Sequence, residues 1–243
     1  TGTMSFDDVY AILSQNLPLV ANERPSDSPK DKETVNVKEN TVYFIPNSDV
    51  EQAQIYLFTP VLSYDKKDDI LYDAFNQYFS GSFNGLVLNE LREKRSMVYY
   101  SGGYLLHPML PNSLSHFWGT IATQNDKAVE ALSIYMDLVR NMPENKERID
   151  NIKNYLREIY LTSQPSFRSK AIYMERVKKR GYTADPAIEN IPKLESLTFD
   201  DIVNFYKENL KDKPIVIGIM GNPKQISTED LKKFGKVIKI SEN

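Results

Sequence analysis

Apolar and polar positions change period several times along the chain, and each change marks an element. Phe6, Val9, Tyr10 and Leu13 share one helical face, so residues 6–17 (FDDVYAILSQNL) predict a short amphipathic helix. The polar, two-proline stretch at 21–33 (ANERPSDSPKDKE) reads as a linker. Two β-branched and aromatic runs follow, TVYFIP (41–46) and EQAQIYLFTP (51–60), with Asn47-Ser48-Asp49 as turn residues between them. In the second run Ala53, Ile55 and Leu57 alternate with Gln54, Tyr56 and Phe58.

The period then becomes helical over 67–79, where Leu71, Phe75, Tyr78 and Phe79 share a face behind acids at the positive helix end. The stretch SGSFNG (80–85) breaks that helix, and a second one follows over LVLNELREKR (86–95). Residues 97–106 and 113–124 predict a strand pair around HPMLPN. Helices are expected over 127–141, 146–163 and 168–180, the last closed by Gly181, and another after the N-cap Thr198. PIVIGIMG (214–221) is a nearly continuous apolar run, a strand buried on both faces or central in its sheet. The order β-β-α-α-β-β-α-α-α-α-β predicts an α+β fold: a mainly antiparallel sheet with helices packed on one face. The expected organisation is a tail helix of a preceding domain (1–20), a linker (21–40) and one domain (41–243).

Composition narrows the chemistry. A chain of 243 residues, 41% hydrophobic and 26% charged, is of ordinary globular make-up. A net charge of −3 and no basic stripe argue against a nucleic-acid partner, and no apolar run reaches the length of a membrane span. Thr1-Gly2-Thr3-Met4 reads as an engineered or processed junction, so a targeting segment could have preceded it. Zero cysteines exclude disulfides, thiolate metal sites and a cysteine nucleophile, without deciding the compartment.

His107 and His116 are the whole imidazole supply. Neither zinc-protease helix pattern, H-E-x-x-H or H-x-x-E-H, is present, nor is a G-x-S-x-G elbow. A hairpin might bring the two histidines together with an acid; the simpler reading leaves His107 beside Pro108 at the start of a loop and His116 as a solvated sheet residue. No metal ligands or cofactor-binding residues are therefore assigned in this chain. The acid pairs Asp68-Asp69 and Asp200-Asp201 stand at helix starts, where the helix dipole explains them.

One stretch does more. Leu91-Arg92-Glu93-Lys94-Arg95-Ser96-Met97-Val98-Tyr99 fits the frame L-R-E-K-x-G-L-x-Y. Gln52-Ala53-Gln54-Ile55 upstream, Thr123-Gln124-Asn125-Asp126-Lys127 downstream and Gly221-Asn222-Pro223 near the end stand in matching order. On these four motifs, spanning about residues 41–240, the chain resembles the C-terminal, non-zinc domain of peptidase family M16 (pitrilysin, insulysin, mitochondrial processing peptidase). Two departures are Ser96, where the family usually has glycine, and Asn84-Gly85, where it commonly has Ser-Arg.

The resemblance implies a clam shell of two homologous halves. One half carries zinc; the other supplies an arginine and a tyrosine across the cleft, here Arg92 and Tyr99. The implied partners are a peptide or unfolded polypeptide substrate and a zinc-bearing half, in the same polypeptide or a separate subunit. A periplasmic or cell-envelope location is preferred to the cytoplasm. Such residue types suit the chemistry: a preorganised donor stabilises the oxyanion of peptide hydrolysis, and arginine offers a rigid, always charged fork. Two other classes remain beside this one: an inactive structural or assembly module of the same fold, and a module that captures peptides as an added strand at a sheet edge.

Overall fold

The computed structural model describes residues 2–17, 37–81, 84–107 and 114–240. The linker expected over 21–33 and the loop HPMLPN beyond His107 fall outside those residues. Helix α1 (Phe6–Asn16) opens on Ser5, whose hydroxyl accepts from the Asp8 amide, and none of its residues is buried.

Six strands follow: β1 (Thr41–Pro46), β2 (Gln52–Ser63), β3 (Val98–Leu106), β4 (Leu114–Gln124), β5 (Val216–Gly221) and β6 (Lys236–Lys239). They form one sheet in the order β3-β4-β2-β5-β1-β6. The pairs β3–β4, β4–β2 and β2–β5 are antiparallel, whereas β5–β1 and β1–β6 are parallel. The sheet is thus mixed, a small correction to the antiparallel expectation. Its parallel part arises because the chain returns to β1 from the helical layer rather than from a hairpin. The apolar run around 214–221 is central as expected, lying between β2 and β1.

One sheet face carries the core. Val42 and Phe44, Ala53, Ile55 and Leu57, Phe117 and Ile121, and Ile217 and Ile219 are buried at alternate positions, as period two requires. Against them pack α2 (Asp69–Ser80), α4 (Ala128–Arg140) and α8 (Phe199–Tyr206) through Phe75, Phe79, Leu132, Tyr135, Ile202 and Phe205. Each fully buried aromatic or aliphatic side chain contributes about 1.5–3 kcal/mol. Gly103 and Gly119 lie under the Tyr135 ring; a Cβ on Gly103 would also stand 2.7 Å from Phe79, so glycine is needed for that close approach.

Further helices α5 (Ile149–Thr162), α6 (Lys170–Lys179) and α7 (Pro186–Ser196) complete the helical layer. The expected cap at α8 is present: Thr198 accepts from the Asp201 amide while the Asp201 carboxylate accepts from the Thr198 amide. Helix α7 was not anticipated, because Pro192 inside PAIENIPKLES reads as a breaker; Asp185 caps it, Pro186 sits in its first turn, and buried Asn190 and Leu194 hold it in place. Short α9 (Thr228–Leu231) and strand β6 were also missed. In β6 only four residues pair, and its Lys-Val-Ile-Lys pattern is too short for a period to declare itself.

Asp69 overturns its assignment as a dipole acid. It is 1% exposed and accepts from the Tyr64 hydroxyl (2.6 Å), the Tyr182 hydroxyl (2.6 Å) and the Arg180 guanidinium. His107 stands at the start of the loop, as expected, and is held there by two carboxylates. Its Nδ1 lies 3.1 Å from Asp69 Oδ1 and its Nε2 3.3 Å from Asp73 Oδ1, while Tyr160 donates to Asp73 Oδ2 at 2.6 Å. The Nδ1 contact is electrostatic, its direction being poor for a hydrogen bond. This one carboxylate joins the end of β2, α2, the end of β3, α6 and the approach to α7.

Its pH dependence follows. Burial alone would lower the His107 pKa, but the Asp69 and Asp73 carboxylates outweigh it and hold the imidazole above its ordinary value. That contribution is complete below about pH 6.5, the ordinary imidazole value, and is lost as pH rises through the raised folded value. For Asp69 burial opposes ionisation, yet His107, Arg180 and Tyr182 hold its carboxyl below the usual range. Its contribution is present above about pH 4 and lost as pH falls through the lowered value. Urea unfolding should therefore give a stability that declines as pH rises from about 6.5 through the raised folded value, and His107→Gln should flatten that decline. An equal slope in the variant would remove His107 from the pH response. Asp69→Ala, which strands the Arg180 cation, should cost about 3–5 kcal/mol.

Candidate functional site

Arg92 and Tyr99 lie on either side of a helix-to-strand seam built from three irregularities. Helix α3 (Leu86–Leu88) begins at Gly85, where a Cβ would meet the Ser80 backbone at 2.6 Å. It runs into a π turn over Asn89–Glu93, marked by the Lys94 amide donating to the Asn89 carbonyl five residues back at 3.0 Å. Leu91 in that turn is fully buried and anchors it, which leaves Arg92 on the outside, with its Nε 3.8 Å from Glu93 Oε1. Glu90 gathers the neighbouring cations, with Lys94 Nζ at 2.5 Å and Arg95 at 2.6 Å, and these pairs pull its carboxyl below the ordinary range.

The turn closes on Ser96. Its φ of 50° is left-handed; the Ser96 amide donates to Arg92 O (2.8 Å) and the Met97 amide to Leu91 O (2.9 Å). This is a Schellman-like ending widened by one residue because the helix has just passed through a π turn. Ser96 is also where the family pattern has glycine, and the backbone explains why: the left-handed region costs an L side chain roughly 1–2 kcal/mol.

The third irregularity is a β-bulge. Val98 pairs with Thr123 and Tyr100 with Ala122, so Tyr99 is the extra residue on β3. Val98 is buried on the helix side, whereas Tyr99 is 76% exposed and Tyr100 49%. Strand β3 is the last in the sheet; Ser80 accepts from the Gly103 amide, Asn76 brackets Leu105 from α2, and the bulge at Tyr99 lies beyond that cover. Neither Arg92 nor Tyr99 lines the cavity of about 560 Å³ between α3 and α5, whose wall includes Asn89, Glu90, Lys94, Arg148 and Tyr155. The pair stands on open surface.

The two histidines do not join it. In the β3–β4 register His116 faces Leu106 on the sheet face away from the helices, where it lies 5.4 Å from the Phe58 ring and burial lowers its pKa. His107 is turned to the helical side, between Asp69 and Asp73. Its two ring nitrogens meet different carboxylates, an imidazolium arrangement rather than a metal ligand's. Among the described residues no three His, Asp or Glu side chains are placed to hold a metal ion, and none of the helices there is long and apolar enough to cross a membrane.

Comparison with known proteins gives a consistent picture. The family model of the peptidase M16 inactive domain matches residues 1–161. No curated protein matches the chain in sequence. Among solved structures, a peptidase M16 inactive domain from Pseudomonas fluorescens superposes with a TM-score of 0.61 at 20% identity, over 78% of this chain and 45% of that one. A protease from Helicobacter pylori gives 0.65 at 12% identity, over 90% and 53%. The periplasmic protease PqqL from Escherichia coli gives 0.62 at 16% identity, over 91% and 24%. The chain thus spans about half, or less, of the length of these proteins; at such identities they establish the fold.

The seam yields a direct test. Ser96→Gly should stabilise the chain by about 0.5–1 kcal/mol, because glycine adopts φ > 0 without strain, a rise of roughly 1–4 °C in Tm by thermal unfolding. A lower Tm would mean that Ser96 is not held in the left-handed region.

Proposed function

The chain belongs to the peptidase M16 inactive-domain family, and from that premise we propose that it is the non-zinc half of an M16-type zinc metallopeptidase. In this reading it encloses a peptide or unfolded polypeptide and lends Arg92 and Tyr99 to an active site whose metal is bound elsewhere. The observation that carries the proposal is the placement of Tyr99: the extra residue of a bulge, 76% exposed, on the edge strand of the sheet. Core packing asks for no tyrosine there, and a bulge at a sheet edge re-aims a side chain outward.

Tyr99 would donate its hydroxyl to the oxyanion that develops as the peptide carbonyl is attacked, and Arg92 would hold substrate backbone carbonyls with its guanidinium. The described residues of this chain do not fit a zinc ion, since His107 is committed to two carboxylates and His116 faces the other side of the sheet. Zinc and the general base therefore belong to a homologous half, in the same polypeptide or in a separate subunit. The length of the chain, about half that of the Pseudomonas and Helicobacter structures, accords with such a partner. The periplasmic location of PqqL supports placing the protein in the bacterial periplasm or cell envelope.

A second reading has its own support. A polypeptide could be captured as an added strand by an otherwise inactive structural or assembly module, on β3 outside Gly103 and Leu105, whose edge groups Ser80 and Asn76 of α2 already hold.

The test joins the chain to its zinc-bearing half and follows peptide cleavage with and without chelator. Cleavage should need the metal. Tyr99→Phe should lower kcat by about 10–1,000-fold with little change in KM, as for a contact made mainly in the transition state. Arg92→Ala should raise KM as well. Unchanged turnover in Tyr99→Phe would leave Tyr99 without a catalytic part and favour the inactive module.

A further inference from the structure

A trough runs along α5, walled on its other side by α2, α3 and β3. One end is the cavity of about 560 Å³ beside the seam, where Asn89 and Glu90 come from the turn that carries Arg92. At Gln77 and Tyr155 it meets a second cavity, of about 320 Å³, which continues past Tyr104 to Asp73 and Tyr160. From Arg148 to Tyr160 the α5 side of the trough is about 18 Å long at roughly 1.5 Å per residue, the reach of about five residues of extended chain.

The polar side chains that line it are uncommitted. Among the described residues, the side-chain amides of Gln77, Asn89, Asn145 and Asn151 make no hydrogen bond within the chain, although all four line the same cavity. Amides elsewhere are used by the fold: Asn76 brackets Leu105, Asn125 donates to the Val50 and Glu51 carbonyls, and Asn209 donates to the Phe205 carbonyl. The charged groups of the trough are already engaged. Glu90 pairs with Lys94 and Arg95, while Arg148 lies 5.1 Å from the Tyr78 ring and donates to the Asn84 carbonyl. What is left to meet a ligand is a group of amides, each offering donor and acceptor in one plane, above buried Leu86, Ile152 and Leu156.

We propose that this trough holds an extended stretch of polypeptide by its backbone, beside the seam and whatever its sequence. This rests on the reading of the chain as a substrate-enclosing half only in naming polypeptide as the ligand. Each residue of an extended chain brings an N–H and a C=O that need partners, and planar side-chain amides answer both. The edge of β3 does not serve here, since Ser80 and Asn76 already hold its Gly103 and Leu105 groups. The zinc-bearing half is the other candidate to cover the trough. A folded surface has most of its polar groups satisfied at home, so a permanent interface would leave these amides buried and unpaired at a cost for each. An unfolded strand arrives with its hydrogen-bonding groups free, which selects it as the occupant.

The probe is a dye-labelled, end-blocked peptide of Ser, Thr and Val, titrated by fluorescence anisotropy into the full-length protein with metal removed by chelator. Binding should saturate, and a peptide of the same composition in scrambled order should bind alike. Methylating alternate backbone nitrogens of the peptide removes N–H donors and leaves its side chains untouched; it should weaken binding roughly tenfold. Asn89→Ala combined with Asn151→Ala removes two amides at helical positions where alanine is the better helix former, so the variant should keep or raise its Tm and bind roughly tenfold more weakly. No saturable binding, strong dependence on peptide order, or undiminished binding by the variant or of the N-methylated peptide overturns the proposal. Displacement of the probe by neutral oligosaccharides at lower concentration than by unlabelled peptide overturns it in favour of a sugar site. Halves that separate more readily in the variant while peptide binding is unchanged overturn it in favour of the adjoining half as the cover. With metal removed nothing is cleaved, so this outcome is distinct from that of Tyr99→Phe, which is read as turnover.

Discussion

Asp69 is the point on which the helical layer hangs. A carboxylate that is 1% exposed must be neutralised and hydrogen-bonded or it becomes a cost of several kcal/mol. Tyr64, His107 and the Arg180–Tyr182 segment do this from three places far apart in sequence. Their convergence makes the arrangement of α2 against α6 and α7 nearly all-or-none, since losing any partner leaves charge or a donor stranded. Such a node sets register more than it adds stability: a hydrophobic core tolerates sliding by a fraction of a turn, whereas a carboxylate with three directed partners does not.

That fixed layer has a consequence on the far side of the sheet. The helices cover one face and hold the strands in their order. Tyr135 shows the coupling: it rises from α4 through the glycine pair of β3 and β4 and donates to the Gly102 carbonyl at 2.8 Å. Gly102 in turn underlies Tyr100 and Tyr104 on the opposite face. The position of Tyr100 and Tyr104 is thereby tied to a helix on the other side of the sheet.

Much of this was legible in residue patterns because it rests on local periodicity. The alternation over 52–60, the helical face of Leu71, Phe75, Tyr78 and Phe79, and the Thr198 cap each state their element within a few residues. Helix α7 and strand β6 did not, since Pro192 contradicts the one and four residues are too few to show a period in the other. Asp69 was misread for a different reason. An acid at a helix start looks the same whether it faces water or four partners from elsewhere in the chain, and those partners stand at 64, 107, 180 and 182. Arg92 and Tyr99 were picked out by resemblance alone; no period marks a π turn or a bulge before the pairing is known.

Those irregularities bear on what the seam is for. Between Leu91 and Tyr100 the backbone passes through a π turn, a left-handed non-glycine residue and a bulge. A sequence selected only for stability would remove each of them: a regular α-turn keeps better hydrogen-bond geometry, glycine relieves the strain at 96, and an unbulged strand pairs every residue. Together they leave Arg92 outside the buried turn and Tyr99 outside the sheet's alternation, both exposed. Departures from local rules that cluster within ten residues, without a packing gain to balance them, are where function is expected to have outweighed stability. Under the proposed function, the seam would be geometry kept for Arg92 and Tyr99 rather than a connection that happens to carry them.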